Sequence, residues 1–199
     1  MAGNSSISAG LTTYLGRHGQ TEWNVAGRRQ GRLDSPLTPR GSDQARRNAQ
    51  LLSAEGIDAV FSSPLGRAHR TATIIGTELG LGIRLVDELA EIDHGLWSGL
   101  TAAEIDARWP GQRAVRERDK YAFRFPEGES YADGAVRAGR VLAEIARTGV
   151  QRPLVVSHEM IGRMLLRQLG VPDALGMRQP SDVVFRVRSD GMVDRLRSG

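Results

Sequence analysis

Short apolar runs alternate with longer amphipathic stretches along nearly all of the 199 residues. Apolar runs bounded by turn residues are typical of buried strands, and a 3.6-residue apolar repeat is typical of helices. Strands are predicted at 12–15, 59–61, 83–86, 154–156, 183–187 and 192–196. Helices are predicted at 42–54, 65–79, roughly 102–109, 131–147 and 160–169. This alternation predicts an α/β protein, a three-layer α/β/α sandwich around a mostly parallel sheet.

The length bounds the domain organisation. A chain of this size fills one α/β domain and is short for two. We therefore expect a single domain over 11–199, preceded by a disordered, small and polar tail at 1–10. The segment 110–128 is charged and poor in aliphatic residues, and we interpret it as an excursion that covers the pocket.

Composition removes several classes of chemistry. The chain has no cysteine, which excludes disulfides, zinc–thiolate sites and cysteine nucleophiles. It contains neither a signal-peptide pattern nor an apolar run near the roughly 18 residues of a membrane span, so we expect a cytoplasmic protein without a membrane partner. Metal-ligand and nucleotide-loop motifs are absent, and we expect no metal and no cofactor.

The basic residues point to small anions. The formal net charge is +4, and Lys120 is the only lysine among 27 basic residues. Arginine favours bidentate contact with phosphate or carboxylate. Because no dense basic run is interleaved with aromatic residues, we do not expect nucleic-acid binding.

Two predicted strands each deliver a histidine at their end. Arg17-His18-Gly19 follows the first strand, and Ser157-His158-Glu159 follows the strand at 154–156. A histidine can attack phosphorus when one ring nitrogen is unprotonated and the other is held by an acceptor. A protonated histidine can instead bind phosphate. The alternatives are a surface Arg-His pair for the first segment and a helix-capping histidine for the second.

Two further segments complete the chemistry. Arg67 lies on the first turn of the helix that follows Ser62-Ser63-Pro64, where an arginine and a helix N-terminus together attract anions. The acidic loop supplies Glu88, Glu91 and Asp93, any of which could give a proton to a departing alkoxide. Spacing alone does not separate these three carboxylates, and the loop could simply be solvated.

Together these four segments resemble the histidine phosphatase superfamily, also called phosphoglycerate-mutase-like, from Thr12 to about Leu196. The resemblance implies that His18 is the nucleophile, which becomes a phosphohistidine, and that Glu91 is the proton donor, four residues before Gly95. It further implies a phosphate pocket of Arg17, Arg67 and His158 with Asn24 as a polar ligand. We add four candidate substrate contacts: Gln20, Thr21, Gly31 and Glu159.

The chain departs from the family pattern at Glu159, where a glycine is usual. A carboxylate there would repel phosphate unless it pairs with an arginine, and Arg163 lies one helical turn further on. Mutases of this family tend to have a longer segment where this chain has 101–130, and they commonly have Gly-Glu-Ser where this chain has Gly-Gln-Thr in the first motif. The resemblance therefore implies a phosphatase in preference to a mutase.

We therefore expect a metal-independent phosphomonoesterase of the histidine acid phosphatase type, acting on a small phosphorylated metabolite. A mutase and a non-catalytic phosphate-binding protein are the alternatives. The resemblance also suggests a homodimer.

Overall fold

A computed structural model describes residues 11–197, so the predicted tail at 1–10 lies outside the described residues. Six strands form one sheet in the order β3-β2-β4-β1-β5-β6. They are β1 Thr13–Arg17, β2 Ala59–Ser62, β3 Ile83–Leu85, β4 Pro153–Ser157, β5 Val184–Val187 and β6 Val193–Leu196. Neighbours among β3, β2, β4 and β1 are parallel, whereas β5 runs antiparallel to both β1 and β6. All six lie within two residues of the predicted strands.

The helices fill the intervals between the strands. They are α1 Glu22–Val25, α2 Pro39–Leu52, α3 Gly66–Leu79, α4 Ala102–Arg108, α5 Gln112–Arg118, α6 Tyr131–Arg147 and α7 Glu159–Gln168. The sequence patterns predict neither α1 nor α5. Helix α2 begins three residues earlier than predicted because the Thr38 hydroxyl accepts a hydrogen bond from the Gly41 N–H and Pro39 occupies the first helical position.

Helices cover both faces of the sheet. Side chains of β4 alternate between two cores: Leu154 and Val156 pack with α2 and α3, whereas Val155 packs with α6 and α7. This period of two is what a strand buried on both faces requires. The result is the predicted three-layer sandwich with a mostly parallel sheet.

The carboxyl ends of β1, β2 and β4 lie at one edge of the sheet. Arg17, the last residue of β1, pairs in register with Ser157 at the end of β4. The residues that leave these strands are therefore brought together, and in open α/β sheets this edge is where ligands bind.

The segment 110–128 packs onto the core through its aromatic residues. Phe125 and Phe123 lie with ring centroids 5.4 and 5.5 Å from that of the buried Trp97. Whether the segment covers a bound substrate stays a prediction. None of the helices within residues 11–197 has the length and apolar content to cross a membrane.

Candidate active site

His18 leaves the end of β1 as a buried side chain. Its Nδ1 lies 2.8 Å from the carbonyl oxygen of Gly19. Because a carbonyl only accepts, Nδ1 carries the hydrogen and the lone pair of the neutral ring lies on Nε2. Glycine is required at the next position, since a Cβ on Gly19 would lie 2.2 Å from the carbonyl oxygen of Gly41.

The charge state of His18 follows from its surroundings. Burial, followed by the positive charges of Arg17 and Arg67, holds the pKa of His18 well below its ordinary value of 6.5. The imidazole is therefore neutral at neutral pH, and its Nε2 is available as a nucleophile.

His158 lies beside His18, with ring centroids 5.2 Å apart. Its Nε2 is 2.8 Å from the hydroxyl oxygen of Ser63, which leaves the end of β2, and its Nδ1 has no partner among the described residues. Burial and the charges of Arg67, His18 and Arg17 lower the pKa of His158. It is neutral in this arrangement, and a bound phosphate would have to raise its pKa to make it a cationic ligand. His158 precedes α7, but its side chain makes no capping hydrogen bond.

Arg67 is fixed in the first turn of α3 with its side chain only 1% exposed. Its Nη1 donates to the Leu33 carbonyl and to Asp34 Oδ1, both at 2.8 Å, and its Nη2 donates to the Gly31 carbonyl at 2.9 Å. Gly31 has a φ of +54°, and a Cβ there would lie 2.9 Å from the backbone nitrogen of His94. Gly31 thus positions Arg67 through its carbonyl, while its contact with substrate stays a prediction.

Arg17 is held through one nitrogen of its guanidinium group. Its Nη1 lies 3.0 Å from Glu159 Oε2 and 3.3 Å from the Gln179 carbonyl oxygen. Its buried Nε, like that of Arg67, has no hydrogen-bond partner in the part of the chain that the structure describes. Two guanidinium groups therefore keep a donor free beside the two histidines. We call Arg17, His18, Arg67 and His158 the strand-end cluster.

Glu159 is paired rather than repelled. Besides Arg17 it binds Arg163, whose Nη2 lies 2.8 Å from Glu159 Oε1, as the i,i+4 spacing predicts. Arg163 is itself held by the Met177 carbonyl at 2.9 Å. The carboxylate at this unusual position is therefore a bridge between two arginines.

Glu91 joins the acidic loop to the start of α7. Its Oε1 accepts hydrogen bonds from the N–H groups of Ile92 and Ile161, and its Oε2 accepts one from Met160 at 3.1 Å. Glu91 is buried at 6% exposure, whereas Asp93 accepts from the Gly95 N–H within its own turn. Glu91 is thus held at the start of α7, where the contacted Met160 is two residues from His158, and its role as the proton donor stays a prediction.

Three residues of the first motif have local roles. Thr21 is buried, and its hydroxyl accepts hydrogen bonds from the Asn24 N–H and from Gln30 Nε2. Asn24 is exposed, and its Oδ1 accepts a hydrogen bond from the Thr21 N–H. Gln20 Oε1 accepts from the Thr38 hydroxyl at 3.0 Å. Their contacts with phosphate or substrate stay predictions.

Several supporting residues were missed by the sequence analysis. Asp34 neutralises Arg67, Ser63 orients His158, and the Gln179 carbonyl holds Arg17. Ser63 could have been noticed as a polar residue at a strand end, but no local pattern marks the other two. Within residues 11–197 no group of three or more histidines and carboxylates could hold a metal ion.

The structure therefore brings together a buried neutral histidine and two arginines that each have an unpartnered Nε, groups whose chemistry suits a phosphoryl group. The chain belongs to the histidine phosphatase superfamily, since the model of its branch 1 matches residues 13–181.

Relatives in this family include both phosphatases and mutases. The chain is 39% identical over 159 residues to phosphoserine phosphatase 1 of Hydrogenobacter thermophilus, covering 79% of this chain and 75% of that protein. It is 37% identical over 164 residues to the probable phosphoglycerate mutase GpmB of an Enterobacter species, covering 81% of this chain and 76% of that protein.

Solved structures show the same fold. A mycobacterial glucosyl-3-phosphoglycerate phosphatase in complex with VO3 aligns with a TM-score of 0.84 and 29% identity, over 95% of this chain and 100% of that one. A putative α-ribazole-5'-P phosphatase of Escherichia coli aligns with a TM-score of 0.82 and 25% identity, over 96% and 97% of the two chains.

Proposed function

We propose that this protein is a metal-independent phosphomonoesterase that acts on a small phosphorylated metabolite through a phosphohistidine. The observation that carries the proposal is the state of His18: its Nδ1 is bound to the Gly19 carbonyl and its pKa is lowered, which leaves a lone pair on Nε2. The free Nε donors of Arg17 and Arg67 lie beside it and suit the equatorial oxygens of a phosphoryl group.

The reaction has two displacements. In the first, His18 Nε2 attacks phosphorus in line, the ester P–O bond breaks, and Glu91 gives its proton to the departing oxygen. In the second, Glu91 takes a proton from water while the water oxygen attacks the phosphohistidine, and the P–N bond breaks to return neutral His18. Arg17 and Arg67 stabilise the charge on the equatorial oxygens in both steps.

A mutase is the second candidate, because GpmB-type relatives align over most of the chain. A mutase would share the first displacement and would then transfer the phosphoryl group to a substrate hydroxyl instead of water. The short segment between the acidic loop and α6 favours water as the acceptor. We also propose that the protein forms a homodimer and is located in the cytoplasm.

The decisive experiment measures orthophosphate release in EDTA. The substrates are para-nitrophenyl phosphate, phosphoserine, 3-phosphoglycerate and α-ribazole 5'-phosphate. The wild type is compared with His18→Ala and with His69→Ala, which removes an exposed histidine from α3 as a matched control.

We expect release by the wild type and by the control variant, and none by His18→Ala. An acid-labile, alkali-stable phosphoprotein should form in the wild type and should not form in His18→Ala. Release that survives in His18→Ala would refute the mechanism. Interconversion of 3- and 2-phosphoglycerate in the presence of a bisphosphate primer, without hydrolysis, would establish the mutase instead.

A further inference from the structure

The loop that carries Glu91 has no regular structure of its own. Residues 90–94 form neither helix nor strand, yet Glu91 and Ile92 in this stretch are buried. The carboxylate of Glu91 is held by N–H groups at the start of α7. The main chain of a buried loop needs partners as well, because an unpaired peptide group inside a protein is costly. Two side chains from outside the loop supply them.

Arg137 binds this loop from the middle of α6. Its side chain is 11% exposed, and its Nη1 donates to the carbonyl oxygens of Glu88 and Ala90, the latter at 3.0 Å. The Ala90 carbonyl belongs to the peptide bond that joins Ala90 to Glu91. The remaining nitrogens of the guanidinium group, Nε and Nη2, bind the two carboxylate oxygens of Glu129 at 3.0 and 2.9 Å. All three nitrogens of Arg137 are therefore occupied, which fixes the planar group in one orientation.

Glu129 binds the loop on the other side of Glu91. Its Oε2 accepts a hydrogen bond from the Asp93 N–H at 2.9 Å, and its own N–H donates to the Asp93 carbonyl at 2.9 Å. Burial raises the pKa of Glu129, but the hydrogen bonds from Arg137 and from the Asp93 N–H outweigh burial and hold that pKa below its ordinary value of 4.5. The carboxylate is therefore ionised at neutral pH. We call Arg137 and Glu129 the loop clamp, because together they hold the main chain before and after Glu91.

The loop clamp also faces the segment that fixes Arg67. Arg32 Nη2 lies 3.6 Å from Glu129 Oε2. The residues on either side of Arg32, which are Gly31 and Leu33, give their carbonyl oxygens to Arg67. Glu129 thus lies between the loop that carries the candidate acid and the segment that holds a candidate phosphate ligand, whereas an ion pair confined to α6 would reach neither.

We propose that Arg137 and Glu129 are positioning residues, which hold Glu91 where it can give its proton to the departing oxygen of the substrate. The inference rests on the proposed function, because it concerns the proton transfer of the first displacement. A general acid acts only within about 2.6–3.2 Å of the oxygen that it protonates, and a displacement of about 1 Å can lower a rate by roughly 10²-fold. The loop clamp does not need to touch the substrate, because its effect reaches the reaction through Glu91.

A matched pair of substrates isolates the proton transfer. Phenyl phosphate and para-nitrophenyl phosphate differ by one nitro group, which makes para-nitrophenolate the better leaving group and lessens its need for an acid. The quantity measured is the ratio of kcat/KM for para-nitrophenyl phosphate to kcat/KM for phenyl phosphate. Because kcat/KM covers the steps up to the first displacement, it excludes the hydrolysis of the phosphohistidine, which is common to both substrates.

Four single variants and one combination are compared with the wild type. Arg137→Met removes the guanidinium group, Glu129→Gln removes the negative charge, and Arg140→Met changes an exposed arginine of the same helix as a control. We expect the ratio to rise roughly tenfold or more in Arg137→Met, to rise in Glu129→Gln, and to stay unchanged in Arg140→Met. Glu91→Gln should raise the ratio as well. Adding Arg137→Met to Glu91→Gln should raise it no further, because the acid is already absent.

A purely structural role of the loop clamp has a different signature. Arg137→Met and Glu129→Gln would then lower kcat/KM equally for both substrates, and an unchanged ratio in both variants would overturn the inference. A rise that Arg137→Met adds in full to that of Glu91→Gln would overturn it too, because the clamp would then act independently of Glu91. Thermal unfolding identifies a variant that does not fold. Arg137→Lys, which keeps the charge but lacks the planar group that reaches Ala90 and Glu129 together, then takes the place of Arg137→Met.

Failure of the proposed function is recognised separately. It gives hydrolysis that is absent or that survives in His18→Ala, with both substrates alike. If hydrolysis depends on His18 but Glu91→Gln leaves the ratio unchanged, the phosphohistidine mechanism is retained and the loop clamp has no acid to position. That result would overturn the inference alone.

Discussion

Removal of the negative charge of Glu159 should tighten the binding of phosphate. The carboxylate lies 3.0 Å from Arg17 Nη1 and 2.8 Å from Arg163 Nη2, whereas the Nε of Arg17 has no partner among the described residues. Glu159→Gln keeps a side chain that can hydrogen-bond to both arginines but removes the charge. Glu159→Gly restores the residue usual in the family and removes the bridge as well.

The magnitude follows from the width of a guanidinium group. A phosphate dianion on the Nε edge of Arg17 lies about 7 Å from the Glu159 carboxylate, and at the dielectric constant of water the repulsion is about 1.2 kcal/mol. That energy corresponds to a roughly sevenfold change in affinity. It is a lower bound at low ionic strength, because the two side chains are only 20% and 25% exposed and a lower dielectric strengthens the repulsion.

The assay is competitive inhibition by orthophosphate of para-nitrophenyl phosphate hydrolysis at low salt. We expect the inhibition constant to fall about sevenfold or more in both variants, and kcat to fall mainly in Glu159→Gly, where Arg17 loses the group that holds Nη1. Glu144→Gln, an exposed carboxylate on α6, controls for the loss of one charge. An inhibition constant that is unchanged or higher in Glu159→Gln would refute the electrostatic reasoning.

Three other perturbations have defined outcomes. Glu91→Gln should lower kcat by roughly 10²-fold or more for alkyl phosphates and by less for para-nitrophenyl phosphate, whose leaving group needs little protonation; equal losses in the two assays would exclude Glu91 as the acid. The three buried histidines have pKa values lowered below 6.5, so the unfolded chain binds more protons than the folded one below that pH. Urea titrations should therefore show a free energy of unfolding that falls as the pH drops below 6.5, by up to about 1.4 kcal/mol per pH unit for each histidine, and a flat profile would contradict the burial of neutral rings. Gly134→Ala places a Cβ 2.2 Å from the Ile92 side chain and should cost about 1–3 kcal/mol of stability by thermal unfolding, whereas Gly139→Ala, with its nearest neighbour at 3.6 Å, should not lower it.

The four inner strands of the sheet could be predicted because they are largely buried and read as apolar runs, whereas the edge strands β3 and β6 are partly exposed and were indicated by their flanking turn residues. Helix α5 could not be predicted, since its seven residues are largely charged and Gly111 at its start offers no side-chain cap. The start of α2 was misplaced because Thr38 and Pro39 were not recognised as the cap and first residue of that helix. Local patterns thus define the elements better than their ends.

The catalytic candidates were predictable from the same edge of the sheet, because parallel strands end together and bring His18 and His158 side by side. The residues that hold these candidates in place were not predictable. The partner of His158 is 95 residues away at Ser63, and the partner of Arg67 is 33 residues away at Asp34. Such pairs depend on strand order and loop path, which no single segment of the sequence encodes. The Glu159–Arg163 pair was predictable because helical geometry alone brings the two residues together.

The start of α7 fixes most of the reactive groups at once. His158 precedes the helix, Glu159 at its first position holds Arg17, and the N–H groups of Met160 and Ile161 hold Glu91. A change at Arg17 or His158 that shifts the start of α7 would therefore also move Glu91, so this part of the candidate site has little freedom to adapt to a new substrate.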